Sequence, residues 1–421
     1  MANLYAETAE PAIDTPPLKG NLSVDVAVVG AGFTGLSTTV HLAERGLRVA
    51  LLEAETPGFG ASGRNGGQLN PGLKADPDAV EQKHGKDLGA RMNALAGGAP
   101  QAMFDLITRH GIQCDARRNG TLRAAITERG ARAVRVTAEQ WQRRGAEVEV
   151  LERDAVADVT GTSRYPLALL DRRGGDLNPL SFARGLARVA VAAGAAIHSA
   201  SRVRALTRIG SAWQLTADAG SVISPRVLLA TNGYSDDLLP ALRRSIVPVF
   251  GAIAATDPLP DDLARRILPA RSVLYESGAI TVYYRIDTDN RLLFGGRGPM
   301  REVSRREQVA ALIRYAITLW PELRQVSWSY VWGGRLAMTW DHYPHVHEPL
   351  PGVYACLGYN GRGVALSTAL GSQLAGRLAD DSAPLDMPVS PLRPIPLHRF
   401  WKMGVRGAIL KGRLLDHLGR A

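Results

Sequence analysis

Three glycines, Gly30, Gly32 and Gly35, stand in a GxGxxG spacing at the end of the apolar run VDVAVVG (24–30). The first permits a tight turn, the second lets a pyrophosphate approach the backbone, and the third lets a helix pack on a strand. The stretch AGFTGLSTTVHLAERG places apolar or small residues at helical spacing and closes at Gly46, and LRVALLE (47–53) reads as a second buried strand. The unit is therefore βαβ. Its helix start, with Phe33 and Thr34 in the first turn, offers unpaired N–H groups and a positive dipole end to an anion. Glu53 ends the second strand, with Ala54 after it, where a carboxylate binds ribose hydroxyls and disfavours a 2′-phosphate. FAD or NAD is expected, and NADP is not.

A second glycine motif bears on the choice between them. VYACLG reads as a strand, YNGRG as a turn and VALSTALGSQLAGRLAD as an amphipathic helix. Gly361 and Gly363 open that helix, but Leu366 occupies the third glycine position, so no second GxGxxG is present. A flavin here would take electrons directly from its substrate instead of from NAD(P)H. Backbone N–H groups at Asn360–Val364 would stabilise negative charge on the N1/O2 edge of a reduced flavin; the alternative is an ordinary helix terminus. Between the two motifs, residues 54–72 form a polar, glycine-rich loop with Ser62, Arg64, Asn65, Gly66, Gly67 and Gln68.

GASGRNGGQ, placed directly after such a βαβ unit, resembles the D-amino-acid oxidase/glycine oxidase superfamily of flavoproteins. Within it the chain is most similar to the bacterial γ-glutamylputrescine oxidases. The leader YAETAEPAIDTPPLKG looks like that branch's N-terminal arm. NPLSFARGLARVAVAAGAAIHSASRV (178–203), VLLATNGYSDDLL (227–239), RLLFGGRG (291–298), WGGRLAMTWDHYP (332–344) and YACLGYNGRGVALSTALGSQLAG (354–376) are similar to later family segments, in the family's order. The resemblance implies FAD as cofactor, bound in part by Ser62, Arg64, Asn65, Gly66, Gly67 and Gln68 of the polar loop, with the adenine near the backbone of Val203 and the flavin near Thr231, Asn232, Gly333, Gly358 and Asn360–Val364. It also implies an amine or amino-acid substrate.

Departures from the family narrow this expectation. The cysteine to which some members attach FAD aligns near Gly334, and Cys356 falls too late, so FAD is expected to be non-covalent. Lysines used by those members for oxygen and for the substrate carboxylate align near Leu293 and Ala365, in a stretch from Asp87 to Trp401 that contains no lysine. The carboxylate arginine of other members aligns near Leu336. Arg335 is adjacent, and neighbours on a strand face opposite ways. An amine whose carboxylate is distant or absent is therefore favoured over a simple α-amino acid.

Tyr283 and Tyr284 in TVYYRID resemble positions that set a tyrosine over the substrate, although only one of the pair can face it and strand tyrosines commonly pack. Trp332 walls the amine pocket or fills core, and Arg335, Tyr359 and Arg362 complete the candidate set. His342, His345 and His347 have ligand-like spacing, but TWDHYP coincides with the family's flavin-adjacent turn, and no metal is expected. The expected reaction is FAD-dependent amine oxidation by hydride transfer to flavin N5. The imine is hydrolysed, and O2 reoxidises the flavin to give H2O2. The alternatives are an amino-acid oxidase or dehydrogenase (pipecolate, D-amino acid), a relative that feeds a quinone, and a tRNA-modifying flavoprotein.

The chain has 421 residues, 45% hydrophobic and 21% charged, enough for two domains and incompatible with a disordered, collagenous or coiled-coil protein. Two cysteines exclude a disulfide framework, no apolar run is long enough to span a bilayer, and no secretion signal is legible, so a cytoplasmic location is expected. Of the net charge of +10, +6 lies in residues 393–421, a basic amphipathic tail. The family resemblance favours packing of that tail on the flavin domain; weak membrane-surface contact is the alternative, and nucleic acid is not expected as a partner. The elements assemble into an α/β protein: a Rossmann-type, glutathione-reductase-like FAD domain plus an α+β substrate domain with an antiparallel sheet. The FAD domain is assigned to 1–80, 176–235 and 335–421, and the substrate domain to 81–175 and 236–334. Helices are expected at 81–110, 128–144 and 303–320, with strands at 272–276, 279–287, 291–296 and 326–335.

Overall fold

The computed structural model describes residues 3–278 and 281–417. Along the chain the elements used below are β1 (Val26–Val29), α1 (Phe33–Ala43), β2 (Val49–Leu52), α2 (Lys86–His110), β3 (Thr121–Ala125), β4 (Leu167–Asp171), α3 (Pro179–Ala192), β5 (Ala196–His198), β6 (Arg226–Leu229) and β7 (Val247–Ala255). They continue with β8 (Val273–Ser277), β9 (Tyr283–Ile286), β10 (Leu292–Arg297), β11 (Tyr330–Met338), β12 (His345–Leu350), β13 (Val353–Leu357), α4 (Gly363–Ala379) and α5 (Trp401–His417).

Short apolar runs buried on both faces make a parallel sheet, as their composition requires. Its order is β12-β13-β6-β1-β2-β5, parallel throughout except for the edge strand β12. Helices α1, α3 and α4 cover one face, with Val28, Leu36, Leu51, Phe182 and Leu370 in one continuous core. Met92, Ala96, Met103 and Phe104 of α2 belong to that same core. The helix expected over 81–110 is thus part of the nucleotide domain, not of the substrate domain assigned to 81–175. It is also two helices, Pro77–His84 and α2, because Gly85 breaks the run with φ +81°.

The second sheet has the order β11-β7-β10-β9-β8-β3-β4, with Val148–Glu152 at its far edge. It is mixed, not wholly antiparallel: β8 and β3 run parallel. Parallel neighbours need a long crossover, and here the whole middle block of the nucleotide domain intervenes between them. Strand β11 continues to Met338, paired along its length with β7, so the boundary set at 335 falls inside a strand. A third sheet of Gly20–Ser23, Gly220–Ser224, Ala212–Ala217 and Ala205–Ile209 was not expected from the sequence.

The two ends of the chain behave oppositely. The arm forms a buried helix, Leu4–Thr8, capped by Asn3, with Leu4 and Tyr5 each 1% exposed. Helix α5, expected to pack on the flavin domain, half-buries Trp401, Val405 and Ile409 and leaves Met403 and Leu410 68% and 73% exposed, because its apolar residues lie on two sides of the helix. Among the described residues, no helix is long and apolar enough to cross a membrane.

Asp176, fully buried, joins the halves: it accepts hydrogen bonds from Arg117 Nη2 at 2.6 Å, Arg285 Nη1 at 2.9 Å and Asn119 Nδ2 at 3.2 Å. Asp176→Ala leaves the buried Arg285 guanidinium without its counter-charge, and a loss of about 3–5 kcal/mol in denaturant unfolding is expected. A loss below about 1 kcal/mol, typical of an exposed pair, would show that the network is not structural.

Candidate active site

Every candidate nucleotide residue on the parallel sheet sits at the carboxyl ends of its strands, the edge where ligands bind in such sheets. Gly30 follows β1, Glu53 follows β2, Val203 lies just beyond β5, Thr231 and Asn232 follow β6, and Gly358 follows β13. A Cβ at Gly35 would collide with the Gly30 carbonyl oxygen, and one at Gly30 (φ +103°) would lie 3.0 Å from the Ala230 oxygen. Only glycines allow this turn to bring strand and helix so close. Glu53 accepts hydrogen bonds from Ala31 N at 2.7 Å and Glu55 N at 3.0 Å. Burial pushes its carboxyl pKa up, and the backbone donors of Ala31, Glu55 and Ala54 oppose that shift.

The polar loop is fastened to this helix start. Ser62 Oγ accepts the Phe33 N–H at 2.9 Å, and the Phe33 ring packs edge-on against Phe182 at 5.3 Å. Asn65 folds the loop on itself, donating to Ser62 O at 2.8 Å and accepting from Gly67 N at 2.8 Å. Gln68 donates to Leu274 O at 3.0 Å and Tyr284 O at 3.1 Å, so its amide ties loop to roof sheet. Arg64 donates to Phe59 O at 2.8 Å and reaches Gly333 O at 3.5 Å. On the far side, Asn232 Oδ1 accepts from Gly358 N at 3.0 Å and Asn360 Oδ1 from Thr339 N at 2.9 Å, both asparagines in left-handed conformation. These bonds fix the turn before α4, whose start at Gly363 and Val364 carries no side-chain cap.

The roof is a transverse row. Strand pairing places Trp332, Ile253, Gly295, Tyr283, Tyr275, Arg123 and Leu169 side by side across the second sheet. Paired residues share a face. The Tyr283 ring occupies the space that side chains at Gly66 and Gly295 would fill, and burial pushes its phenol pKa up. Trp332 Nε1 donates to Arg64 O at 3.0 Å, and its ring meets Tyr5 edge-on at 5.2 Å.

Three of the expected catalytic residues are placed elsewhere. Tyr284 points to the opposite face, stacked on Phe294 at 5.2 Å and bonded to the Tyr165 hydroxyl at 2.9 Å, as the alternation of a strand demands. Tyr359 lies buried with its hydroxyl 2.6 Å from Thr34 Oγ1 and 3.1 Å from Cys356 Sγ, so it ties α1 to the last turn. Arg335 stacks 4.3 Å over Tyr234, beside the segment after β6, and its buried Nε has no hydrogen-bond partner. Among the expected metal-like histidines, His345 Nε2 lies 2.9 Å from Asp341 Oδ1 and His347 Nδ1 lies 2.7 Å from Ser390 O.

Next to the row lies a cleft lined by Pro71, Leu73, Asp76, Arg123, Tyr275 and Arg362. Arg362 turns away from the turn before α4: its Nη2 donates to the Tyr275 hydroxyl at 2.7 Å, and its guanidinium sits 4.4 Å over that ring. Arg123 is paired with Asp76 at 3.1 Å, whereas Arg362 forms no ion pair with any described residue. Sequence reading missed Tyr275, Arg123 and Tyr5, since no local spacing marks residues that meet only through strand register or through the docking of an arm.

These features define a dinucleotide-binding flavoprotein fold roofed by a second sheet, and the residues fit FAD: a glycine cradle, a ribose carboxylate and an uncapped helix start. Both cysteines are buried, and burial pushes each thiol pKa up to about 12. The chain belongs to the DAO family of FAD dependent oxidoreductases, which it matches over residues 25–377. It is 32% identical over 422 residues to the γ-glutamylputrescine oxidoreductase of Escherichia coli K12, spanning 98% of each chain. Its fold is that of glycine oxidase from Geobacillus kaustophilus (TM-score 0.74, 22% identity, 89% of this chain and 99% of that one). L-proline dehydrogenase from P. horikoshii shares it too (TM-score 0.70, 17% identity, 92% and 99%).

Gly35→Ala is expected to lower retained FAD about tenfold or more, because the added methyl forces the βα turn apart. The ratio of visible to ultraviolet absorbance of the purified protein measures this, and a fully yellow variant would contradict the role given to the turn.

Proposed function

We propose that this chain oxidises a primary or secondary amine carrying a carboxylate remote from the reacting nitrogen, a γ-glutamylputrescine-like substrate, with O2 as electron acceptor. The observation that carries this reading is the Arg362 guanidinium, which has no carboxylate partner among the described residues, in the cleft beside the Tyr283–Tyr275–Arg123 row. The name of the E. coli relative supports the same substrate class.

FAD, which the Gly30–Gly35 turn and Glu53 would hold, would supply the hydride acceptor and return the electron pair to oxygen. The chain's own part is to hold a neutral amine in place and keep water away. Tyr283, with its phenol pKa raised, stays protonated at neutral pH, so it is a wall and a hydrogen-bond donor, not a base. Burial in such a site favours the uncharged amine, which sheds its proton on entering. The substrate C–H then leaves as hydride while the nitrogen lone pair forms a C=N bond. Water adds to that imine and releases an aldehyde together with ammonia from a primary amine, or with the smaller amine from a secondary one. Orientation and desolvation carry the rate, because no protein proton acceptor is needed at the carbon.

In anaerobic mixing, the yellow holoenzyme should be bleached by γ-glutamylputrescine and recoloured by oxygen with formation of H2O2. Failure of every amine in a panel to bleach it would sink the proposal. Arg362→Gln should lower selectivity for this substrate over a diamine derivative lacking the carboxylate by roughly 10- to 100-fold in relative kcat/KM, the worth of a charge-assisted hydrogen bond. Equal losses on both amines would instead mark Arg362 as structural. The exposed face of α5 favours a second reading, in which a membrane quinone is the acceptor: bleaching by amine would then be followed by slow recolouring in oxygen.

A further inference from the structure

The C-terminal segment presents apolar side chains that the fold leaves uncovered. Leu397, Phe400, Met403 and Leu410 are 73%, 47%, 68% and 73% exposed, whereas the large exposed apolar residues before Val389 are scattered through the sequence. Such residues matter when they form one patch. Met403 and Leu410 stand seven residues apart, two turns, and so share one stripe of α5. Trp401, Val405 and Ile409 form a different, half-buried side. Lys402 and Arg406, both exposed and one turn apart, border the apolar stripe. Lys402 lies 5.8 Å over the Trp401 ring and Arg399 4.7 Å over Phe400. Between residues 393 and 417 the chain has Arg393, Arg399, Lys402, Arg406, Lys411 and Arg413 against the single acid Asp416. The segment is anchored to the body just before α5, by Ile395 N donating to Arg244 O at 2.8 Å and by His398 Nε2 at 2.7 Å from Ile246 O.

An apolar stripe flanked by cations, with the exposed Phe400 ring just before it, matches a lipid interface, with acyl chains for the stripe and anionic headgroups for the cations. A soluble acidic partner would answer the charge but not the stripe. A second copy of the chain would cover the stripe but set cations against cations. We infer that α5 is a membrane-surface helix, docking the enzyme on anionic lipid with Met403 and Leu410 seated among the acyl chains.

Flotation of the full-length holoenzyme with phosphatidylcholine vesicles, and with vesicles of phosphatidylcholine and phosphatidylglycerol, tests this. At low salt the mixed vesicles should carry at least about tenfold more protein than the neutral ones, since each surface cation contributes roughly fivefold. Molar salt should release most of it. The double variants Lys402→Glu/Arg406→Glu and Met403→Asp/Leu410→Asp should each lose binding while keeping FAD absorbance and turnover in solution. The inference is overturned by absent binding, by equal binding to neutral vesicles, or by light scattering that shows a dimer dissociated by Met403→Asp/Leu410→Asp.

Discussion

One buried guanidinium holds the two halves of this enzyme in register. Arg285, on β9, donates to Gly66 O at 2.7 Å, to Leu177 O at 3.2 Å, to Asp176 at 2.9 Å and to the Tyr5 hydroxyl at 3.3 Å. Those partners belong to the polar loop, the middle block and the N-terminal arm. An arginine suits the task, because its planar fork donates in several fixed directions and stays charged when buried. Tyr283 lies two residues earlier on the same strand and so shares Arg285's face. The ring that roofs the polar loop is therefore set by the ion pair beside it.

The nucleotide half and the substrate half solve different problems. Binding a dinucleotide needs backbone close to pyrophosphate, so glycines, helix starts and short parallel strands dominate there. The substrate half has to present side chains over a flat ring, and a pleated sheet does that by lining up residues from successive strands. The row from Trp332 to Arg123 draws on β11, β7, β10, β9, β8 and β3, from residues spread between 121 and 338 of the chain. Gly295 and Gly66 make room for the one large ring at its centre.

Much of the nucleotide half was legible beforehand. The βαβ unit, Glu53 and the glycine turn before α4 are local patterns, and each stands where its spacing placed it. The substrate half was legible as elements but not as an arrangement. The expectation for α2 failed because its apolar face fits either domain by periodicity, and only packing against α4 in the nucleotide core chose. Tyr283 and Tyr284 could not be separated, since alternation says they differ but not which face is the roof. The parallel pairing of β8 with β3 depends on a crossover through another domain. The tail's amphipathicity was visible, yet which side it buries was not.

The sequence by itself determined the cofactor class, the absence of catalytic lysine between Asp87 and Trp401, and the order of the segments. These are matters of residue type and short-range spacing, and the βαβ geometry follows from a few consecutive residues. The tertiary structure alone decided that Tyr275 and Arg362 share a cleft, that Tyr5 packs against Trp332, and that α5 leaves a stripe uncovered. Each of these depends on pairing between strands or on docking of distant segments. Register and docking are settled by the packing of the whole core, which no local window contains.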